Sequence, residues 1–160
     1  MKRYRAGLAG IVAALTGTAT LLAASGQPPV PIAERAQGAE RVVVATVAQT
    51  TAQYERNEFG DRVIVTHARL AIEEAIKGDA SPATLAVEGG TVDGMTLRVS
   101  SLPLVTTGDR AVFFLTPGPH GEFKAHLKGQ GILPLDATNH VRGSSLTLAN
   151  IRQMARPNGK

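Results

Sequence analysis

The 160-residue chain contains no cysteine and no tryptophan, and it has only four Phe and two Tyr. Without cysteine it can form neither a disulfide nor a thiol-based site, so its core alone must stabilise the fold. With so few aromatic rings, that core must consist mainly of Val, Leu, Ile and Ala. A carbohydrate-binding platform of stacked aromatic side chains is therefore not expected.

Acidic residues are missing from the N-terminal region, where the first one is Glu34. Three basic residues in positions 2–5 precede an apolar run over residues 6–24, and small residues, Ala23 and Ser25, stand at its end. This order predicts a cleavable signal peptide over residues 1–25 and a periplasmic or secreted protein. The run is also close to the shortest length that spans a bilayer, so an uncleaved anchor that holds the domain outside the cytoplasmic membrane is the alternative.

Removal of this segment changes the charge balance. The whole chain has a net charge of +4, but without Lys2, Arg3 and Arg5 it has 14 basic and 13 acidic residues. Nucleic-acid binding usually requires a basic surface that displaces counterions from phosphates. A nucleic-acid partner is therefore not expected.

The remainder is predicted to be one mainly β domain over residues 40–136, preceded by an extended Pro-rich spacer over 26–39. A first strand is predicted over residues 41–47, which are β-branched and apolar. Residues 62–72 alternate, with Ile64 and Leu70 among those on one face and His67 and Arg69 among those on the other. The polar stretch 51–61 is predicted as a loop and turn. Further short strands separated by turn residues predict a small barrel or sandwich.

The C-terminal region changes period. Leu148, Ile151 and Met154 recur at helical spacing. After a linker that starts at residue 137, a helix is predicted over about 146–156, capped by Ser144 or Ser145.

Several short motifs occur in an order that resembles a family of exported bacterial OB-fold domains similar to tissue inhibitors of metalloproteases. The first is the strand end from Ile72 to Gly78. The others are the pair Gly89-Gly90 with Gly94, then Pro103, then Gly108-Asp109-Arg110 before an apolar strand, and finally Gln130-Gly131. The resemblance covers residues 40–136.

The resemblance implies a small five-stranded OB-like Greek-key barrel, with a C-terminal helix appended. Five glycines are assigned to turns or barrel corners: Gly78, Gly89, Gly90, Gly108 and Gly131. The vertebrate inhibitors chelate the protease zinc with a disulfide-tied N-terminal cysteine. This chain has no cysteine, so that mechanism does not transfer, and protease inhibition stays an analogy of fold alone.

No catalytic, metal or cofactor site is predicted. His120 and His126 lie on opposite sides of a predicted turn, and a zinc site needs three or four converging ligands. Glu73 and Glu74 are adjacent, so in a strand they point to opposite faces, and with Lys77 they are expected to form a solvated edge. An unrecognised hydrolase or metalloprotein remains an alternative.

The long connection 89–107 is the candidate functional loop, with a plain barrel crossover as its alternative. OB barrels bind on the face of strands 2 and 3 and on the flanking loops. The candidate surface consists of five residues: Arg62, His67, Arg69, Asp93 and Arg98. The expected function is a non-enzymatic binding module of the cell envelope that recognises a protein or peptide. An anchored structural or accessory domain is the alternative, and the oligomeric state is left open.

Overall fold

The structure is a computed structural model that describes residues 28–57 and 59–156. The predicted signal peptide lies outside the described residues. The elements in chain order are α1 (Ile32–Gly38), β1 (Arg41–Arg56), β2 (Arg62–Lys77), β3 (Ala83–Glu88), β4 (Gly90–Val92), β5 (Met95–Leu97), β6 (Arg110–Pro117), β7 (Phe123–Ala125), a 3₁₀ turn (Lys128–Gly131), β8 (Ile132–Pro134) and α2 (Leu148–Ala155).

Five strands close into a ring in the order β1-β2-β3-β7-β6, because β6 also pairs with β1. The pair β3–β7 is parallel and joined at Leu85↔Phe123, and the other pairs of the ring are antiparallel. β8 extends the sheet beside β6, and β4 and β5 form a separate hairpin. The predicted fold class is confirmed: the protein is mainly β, a small OB-like Greek-key barrel with a C-terminal helix.

β1 contributes to the core on both of its faces. Val43, Ala45 and Val47 belong to the cluster inside the barrel, which includes Phe113 from β6. Val42 and Val44 belong to a second cluster, between the barrel wall and the two helices. The continuous apolarity of this strand therefore reflects burial on two sides.

β2 shows the alternation that its sequence predicts. Ile64, Thr66, Ala68 and Leu70 are buried, whereas the residues between them are half-buried or exposed. The strand continues to Lys77, and its register against β1 shifts at three places. These bulges bend the strand enough to take part in a closed ring.

β1 is longer than the predicted strand 41–47. It runs to Arg56, so the prediction of a loop from residue 51 is wrong, and only Asn57–Asp61 turns. The polar half of β1 is held extended by its register against β2, which runs from Gln49↔Arg69 to Arg56↔Arg62. Cross-strand pairing thus decides the conformation of a segment whose composition alone is that of a loop.

The predicted extended spacer contains helix α1. Ile32 and Ala36 are buried in the outer cluster together with Ile151 of α2. Arg35 is also buried, and its guanidinium donates to the carbonyl oxygens of Val30 at 2.6 Å and Gln130 at 2.7 Å. These contacts with distant residues stabilise a helix too short to be stable alone.

The C-terminal helix is present, but it begins at Leu148 and is capped by Thr147. The Thr147 hydroxyl accepts from the Asn150 N–H, and the Asn150 side chain accepts from the Thr147 N–H, which forms a capping box. The prediction of Ser144 or Ser145 as the cap is wrong. Thr147 adopts the extended conformation that a cap residue needs immediately before the first helical turn.

The prediction that Glu73 and Glu74 point to opposite faces and form a solvated edge with Lys77 is wrong. Val44 pairs with Glu74 and Ala45 with Ile72, so a bulge at Glu73 places both carboxylates on the outer face of β2. Glu73 accepts from Arg110 of β6 at 2.8 Å, and Glu74 accepts from Arg152 of α2 at 2.6 Å. The two carboxylates therefore link β2 to different neighbours: Glu73 links it to β6, and Glu74 links it to α2.

The glycines assigned to turns and corners have different roles. Gly78, Gly89, Gly90 and Gly108 have positive φ. Gly131 does not, but a Cβ there would overlap the main-chain carbonyl of His126. At Gly90 both constraints apply, because a Cβ would overlap the hydroxyl oxygen of Thr66.

Within residues 28–57 and 59–156, no helix has the length and apolarity needed to traverse a lipid bilayer.

Candidate functional site

A groove of about 630 Å³ lies on the outer face of β2 and β3. Its floor is formed by Val63, Val65 and Ala86, which are half-buried. These side chains point away from the barrel interior, since they alternate with the buried Ile64, Thr66 and Val87. Aliphatic side chains on the outer face of a barrel stay in contact with water unless another molecule covers them, and such patches often mark binding sites.

Two turns form walls of the groove. The β1–β2 turn is organised by Asn57, whose Oδ1 accepts from the N–H groups of Phe59 and Asp61 at 3.0 and 2.9 Å. Phe59 lines the groove with 80% of its surface exposed. The β6–β7 turn contributes Pro119 and His120.

These turns are the loops between ring strands 1 and 2 and between ring strands 4 and 5. In OB barrels the face of strands 2 and 3, together with these two loops, is the usual binding surface. The groove therefore occupies the position at which this architecture most often holds a ligand.

A second pocket, called here the histidine pocket, adjoins the groove and shares Glu55, Arg56, His120 and Glu122 with it. His67 Nε2 lies 2.5 Å from Glu55 Oε1, and Gln53 Nε2 donates to the same oxygen at 2.8 Å. The hydrogen bond from Gln53, followed by the hydrogen bond and charge of His67, lowers the pKa of Glu55 against the opposing effect of burial. The pair presents a fixed carboxylate at this end of the groove.

Within the described residues, no three His, Asp or Glu side chains are grouped as potential metal ligands. His120 lines the groove, whereas the ring of His126 lies against Gly38 behind the 3₁₀ turn.

The five residues of the predicted surface are not brought together. His67 lines the histidine pocket, and the other four are absent from the linings of the groove and this pocket. Arg62 points to the opposite face of β2, where its guanidinium carbon lies 3.8 Å from the ring centre of Tyr54. Arg69 is exposed on the outer face, and Asp93 and Arg98 are exposed within and after the β4–β5 hairpin.

Asp93 and Arg98 are separated from the groove because the β4–β5 hairpin packs on the other face of the β1–β2 ribbon. Gly90 approaches Thr66 and Ala52 there, and the Thr66 hydroxyl donates to the Gly89 carbonyl at 2.7 Å. The turn of this hairpin is Asp93-Gly94, with positive φ at both residues. An Asp-Gly pair between apolar residues is a strong hairpin signal, and it was available in the sequence.

The loop 89–107 contributes to the groove only through its second half. Val99, Ser101 and Leu102 line it, and Leu102 also packs against the barrel core. The Ser101 carbonyl accepts from the Gly129 N–H at 2.9 Å, which joins this loop to the 3₁₀ turn.

Lys124 and Lys128, together with Arg56, are the basic side chains of the groove, and the sequence interpretation identified none of them. Leu127 and Lys128 have φ values of 56° and 54°, so two consecutive non-glycine residues are left-handed. Such backbone is energetically costly and is concentrated at functional positions. Lys128 lines the groove together with Ser101 and Leu102.

The chain matches no protein-family model and no curated protein sequence.

Proposed function

We propose that the protein is an exported, non-enzymatic binding module of the cell envelope that recognises a protein or peptide through the groove on β2 and β3. The observation that supports this most directly is the outward-facing aliphatic floor, Val63, Val65 and Ala86, at the binding position of an OB barrel. Recognition of a polypeptide side chain requires this combination of an apolar floor and a polar rim.

The composition of the groove favours a polypeptide over the other ligands of OB barrels. Phe59 is the only Phe, Tyr or Trp among its lining residues, which is too few for a platform of stacked sugars or bases. The rim combines Glu55, Glu88 and Glu122 with basic side chains of Arg56, Lys124 and Lys128. A polyanionic nucleic acid would be repelled by the carboxylates, whereas a polypeptide can match charges of both signs.

The test is to select peptides that bind the protein from a displayed library of random dodecapeptides. The protein is used in the form that its host cells produce, with any processing of its N-terminus. We expect enrichment of peptides that bind the wild type and lose at least tenfold in affinity on Val65→Lys, which places a charge on the floor. Ala71→Lys is the matched control, because Ala71 is an exposed position on the same outer face of β2, outside the groove. Absence of any enriched peptide, or equal loss in both variants, would contradict the proposal.

Export is tested separately by N-terminal sequencing of the envelope fraction. A chain that begins at Gly26 supports a signal peptide over residues 1–25 and a periplasmic or secreted module. A chain that keeps Met1 supports the alternative, a domain anchored to the cytoplasmic membrane by its N-terminal segment. Metal analysis of the same sample addresses the remaining alternative, since stoichiometric bound metal would favour a metalloprotein.

A further inference from the structure

Beyond its pairing with β7 at Leu85, the edge of β3 that faces away from β2 has no strand partner among the described residues. The Gly89 N–H donates to the Ile64 carbonyl at 2.7 Å, and alternate residues of a strand direct their main-chain groups to the same side. The N–H and C=O groups of Ala86 and Glu88 therefore point away from β2. β7 occupies that side at a single register position, Leu85↔Phe123. A parallel position of this kind is bonded through the two flanking residues, so the Ala86 N–H is taken by Phe123. The groups left open are the carbonyl of Ala86 and both main-chain groups of Glu88.

This open edge is part of the groove. Ala86, Val87 and Glu88 line it from β3, and Lys124 and Ala125 line it from β7. An unpaired edge beside an apolar strip is the arrangement that binds an added strand, because the main chain supplies hydrogen bonds and the strip receives alternate side chains.

Charge is distributed unevenly along the groove. Thr84, near the start of β3, shares the histidine pocket with Glu55 and Glu122. Toward the end of β3, the groove is lined by two lysines, Lys124 and Lys128, and by one carboxylate, that of Glu88. Neither lysine takes part in the four ion pairs found among the described residues. The lysine end is therefore complementary to a carboxylate.

From these observations we infer that the groove binds an extended peptide, which pairs as an added strand with the edge of β3 at Ala86–Glu88. Its outward-facing side chains are apolar, lie over Ala86 and are long enough to reach Val63 and Val65 on the next strand, β2. It carries a carboxylate that faces Lys124 and Lys128. This inference rests on the proposed function and specifies the class of partner and its bound conformation.

The first experiment uses the tightest-binding peptide from the dodecapeptide selection and replaces each of its amide N–H groups in turn by N-methyl. An added strand directs every second N–H toward β3, so we expect losses of about tenfold or more at alternate positions and little change between them. Uniform tolerance of N-methylation would overturn the strand pairing while leaving groove binding intact. The failure of this inference is thus distinguishable from failure of the proposed function.

The second experiment reverses the charge of the lysine end. The double variant Lys124→Glu/Lys128→Glu is expected to lower the affinity for the same peptide about fivefold or more, and the loss of affinity should be larger at low salt. Arg69→Glu reverses an exposed charge on β2 outside the groove and is expected to leave binding unchanged. Equal effects of the two changes would overturn the placement of the carboxylate.

The source of the carboxylate is identified by amidating the peptide C-terminus and, separately, replacing its Asp and Glu by Asn and Gln. Loss on amidation alone identifies a terminal carboxylate, and loss on side-chain replacement identifies an acidic residue. Retention in both cases would overturn the charge match. Light scattering addresses the competing occupant: a dimer that the peptide dissociates would show that the β3 edge pairs with a second copy of this chain.

Discussion

The Nζ of Lys77, at the end of β2, lies 2.6 Å from the main-chain carbonyl oxygen of Ala39, just beyond the end of α1. The same ammonium donates to the Ala36 carbonyl at 2.7 Å. It also donates to the Gln37 carbonyl at 3.3 Å. One lysine therefore satisfies three carbonyl groups at the C-terminal end of a short helix, where a positive charge is favourable. It joins the N-terminal segment to the barrel wall.

Replacement of this lysine should loosen α1. Because a hydrogen bond to a charged group contributes about 1.5–3 kcal/mol, we expect Lys77→Met to reduce the free energy of unfolding by about 2 kcal/mol. Urea denaturation measures the change. Lys124→Met, at an exposed position of β7, is the matched control, and a loss as large as that of Lys77→Met would contradict this role.

A second prediction concerns the ion pair between Glu74 and Arg152. The hydrogen bonds from Arg152, with its charge, hold the pKa of Glu74 below its ordinary value, although partial burial acts in the opposite direction. A carboxyl group whose pKa is lower in the folded chain stabilises the fold above its unfolded pKa. This stabilisation is lost as the pH falls through the folded pKa.

The free energy of unfolding should therefore decrease as the pH is lowered below the ordinary glutamate pKa, and Glu74→Gln should reduce the steepness of this decrease. Urea denaturation at several pH values between about 7 and 3 measures the slope. Glu34→Gln changes an exposed carboxylate of α1 outside the four ion pairs and should keep the wild-type slope. Identical slopes for Glu74→Gln and wild type would show that this pair does not contribute.

The third prediction separates two constraints on glycine in the β4–β5 hairpin. Gly90 and Gly94 both have positive φ, but only at Gly90 would a Cβ overlap a neighbour, the hydroxyl oxygen of Thr66; nothing lies within 4 Å of a Cβ at Gly94. We expect Gly94→Ala to cost about 1 kcal/mol from backbone strain alone, and Gly90→Ala to cost at least about 2 kcal/mol. Thermal and urea unfolding of the two variants give the comparison, and similar losses would show that packing against Thr66 is unimportant.

The fourth prediction concerns the cap of α2. Thr147→Ala removes the hydroxyl that accepts from the Asn150 N–H, and it should destabilise the protein by about 1 kcal/mol. Thr147→Ser keeps the acceptor and should recover most of this loss. Ser145→Ala alters an exposed residue two positions earlier and should have little effect. A larger loss for Ser145→Ala than for Thr147→Ala, measured by urea denaturation, would contradict the observed cap.

The barrel was predictable because its strongest signals are local. The alternation from Ile64 to Leu70 and the continuous apolar run of β1 each follow from how a strand is buried, and the structure confirms both. Helix α1 was not predictable in the same way. Three prolines precede it, and it is stabilised by Ile151, Lys77 and Gln130, all far along the chain.

The groove shows the same division between local and distant information. Val63 and Val65 are visible in the sequence as apolar residues on the face of β2 that also carries His67 and Arg69. Their significance depends on the turns that frame them, and these come together only when Leu85 lies beside Phe123. Of the five residues in the candidate surface, His67 lies in the pocket beside the groove, and the other four lie outside both linings.

The ring closes where Arg41 of β1 pairs with Leu115 of β6. The buried strand β1 thus pairs with β6, which is synthesised much later. Pairing between segments far apart in the sequence slows folding. A nascent chain with this connectivity cannot close the ring until β6, at residues 110–117, has been synthesised. Late closure of the ring is compatible with the proposed export, because a protein that crosses a membrane unfolded must not complete its fold before translocation.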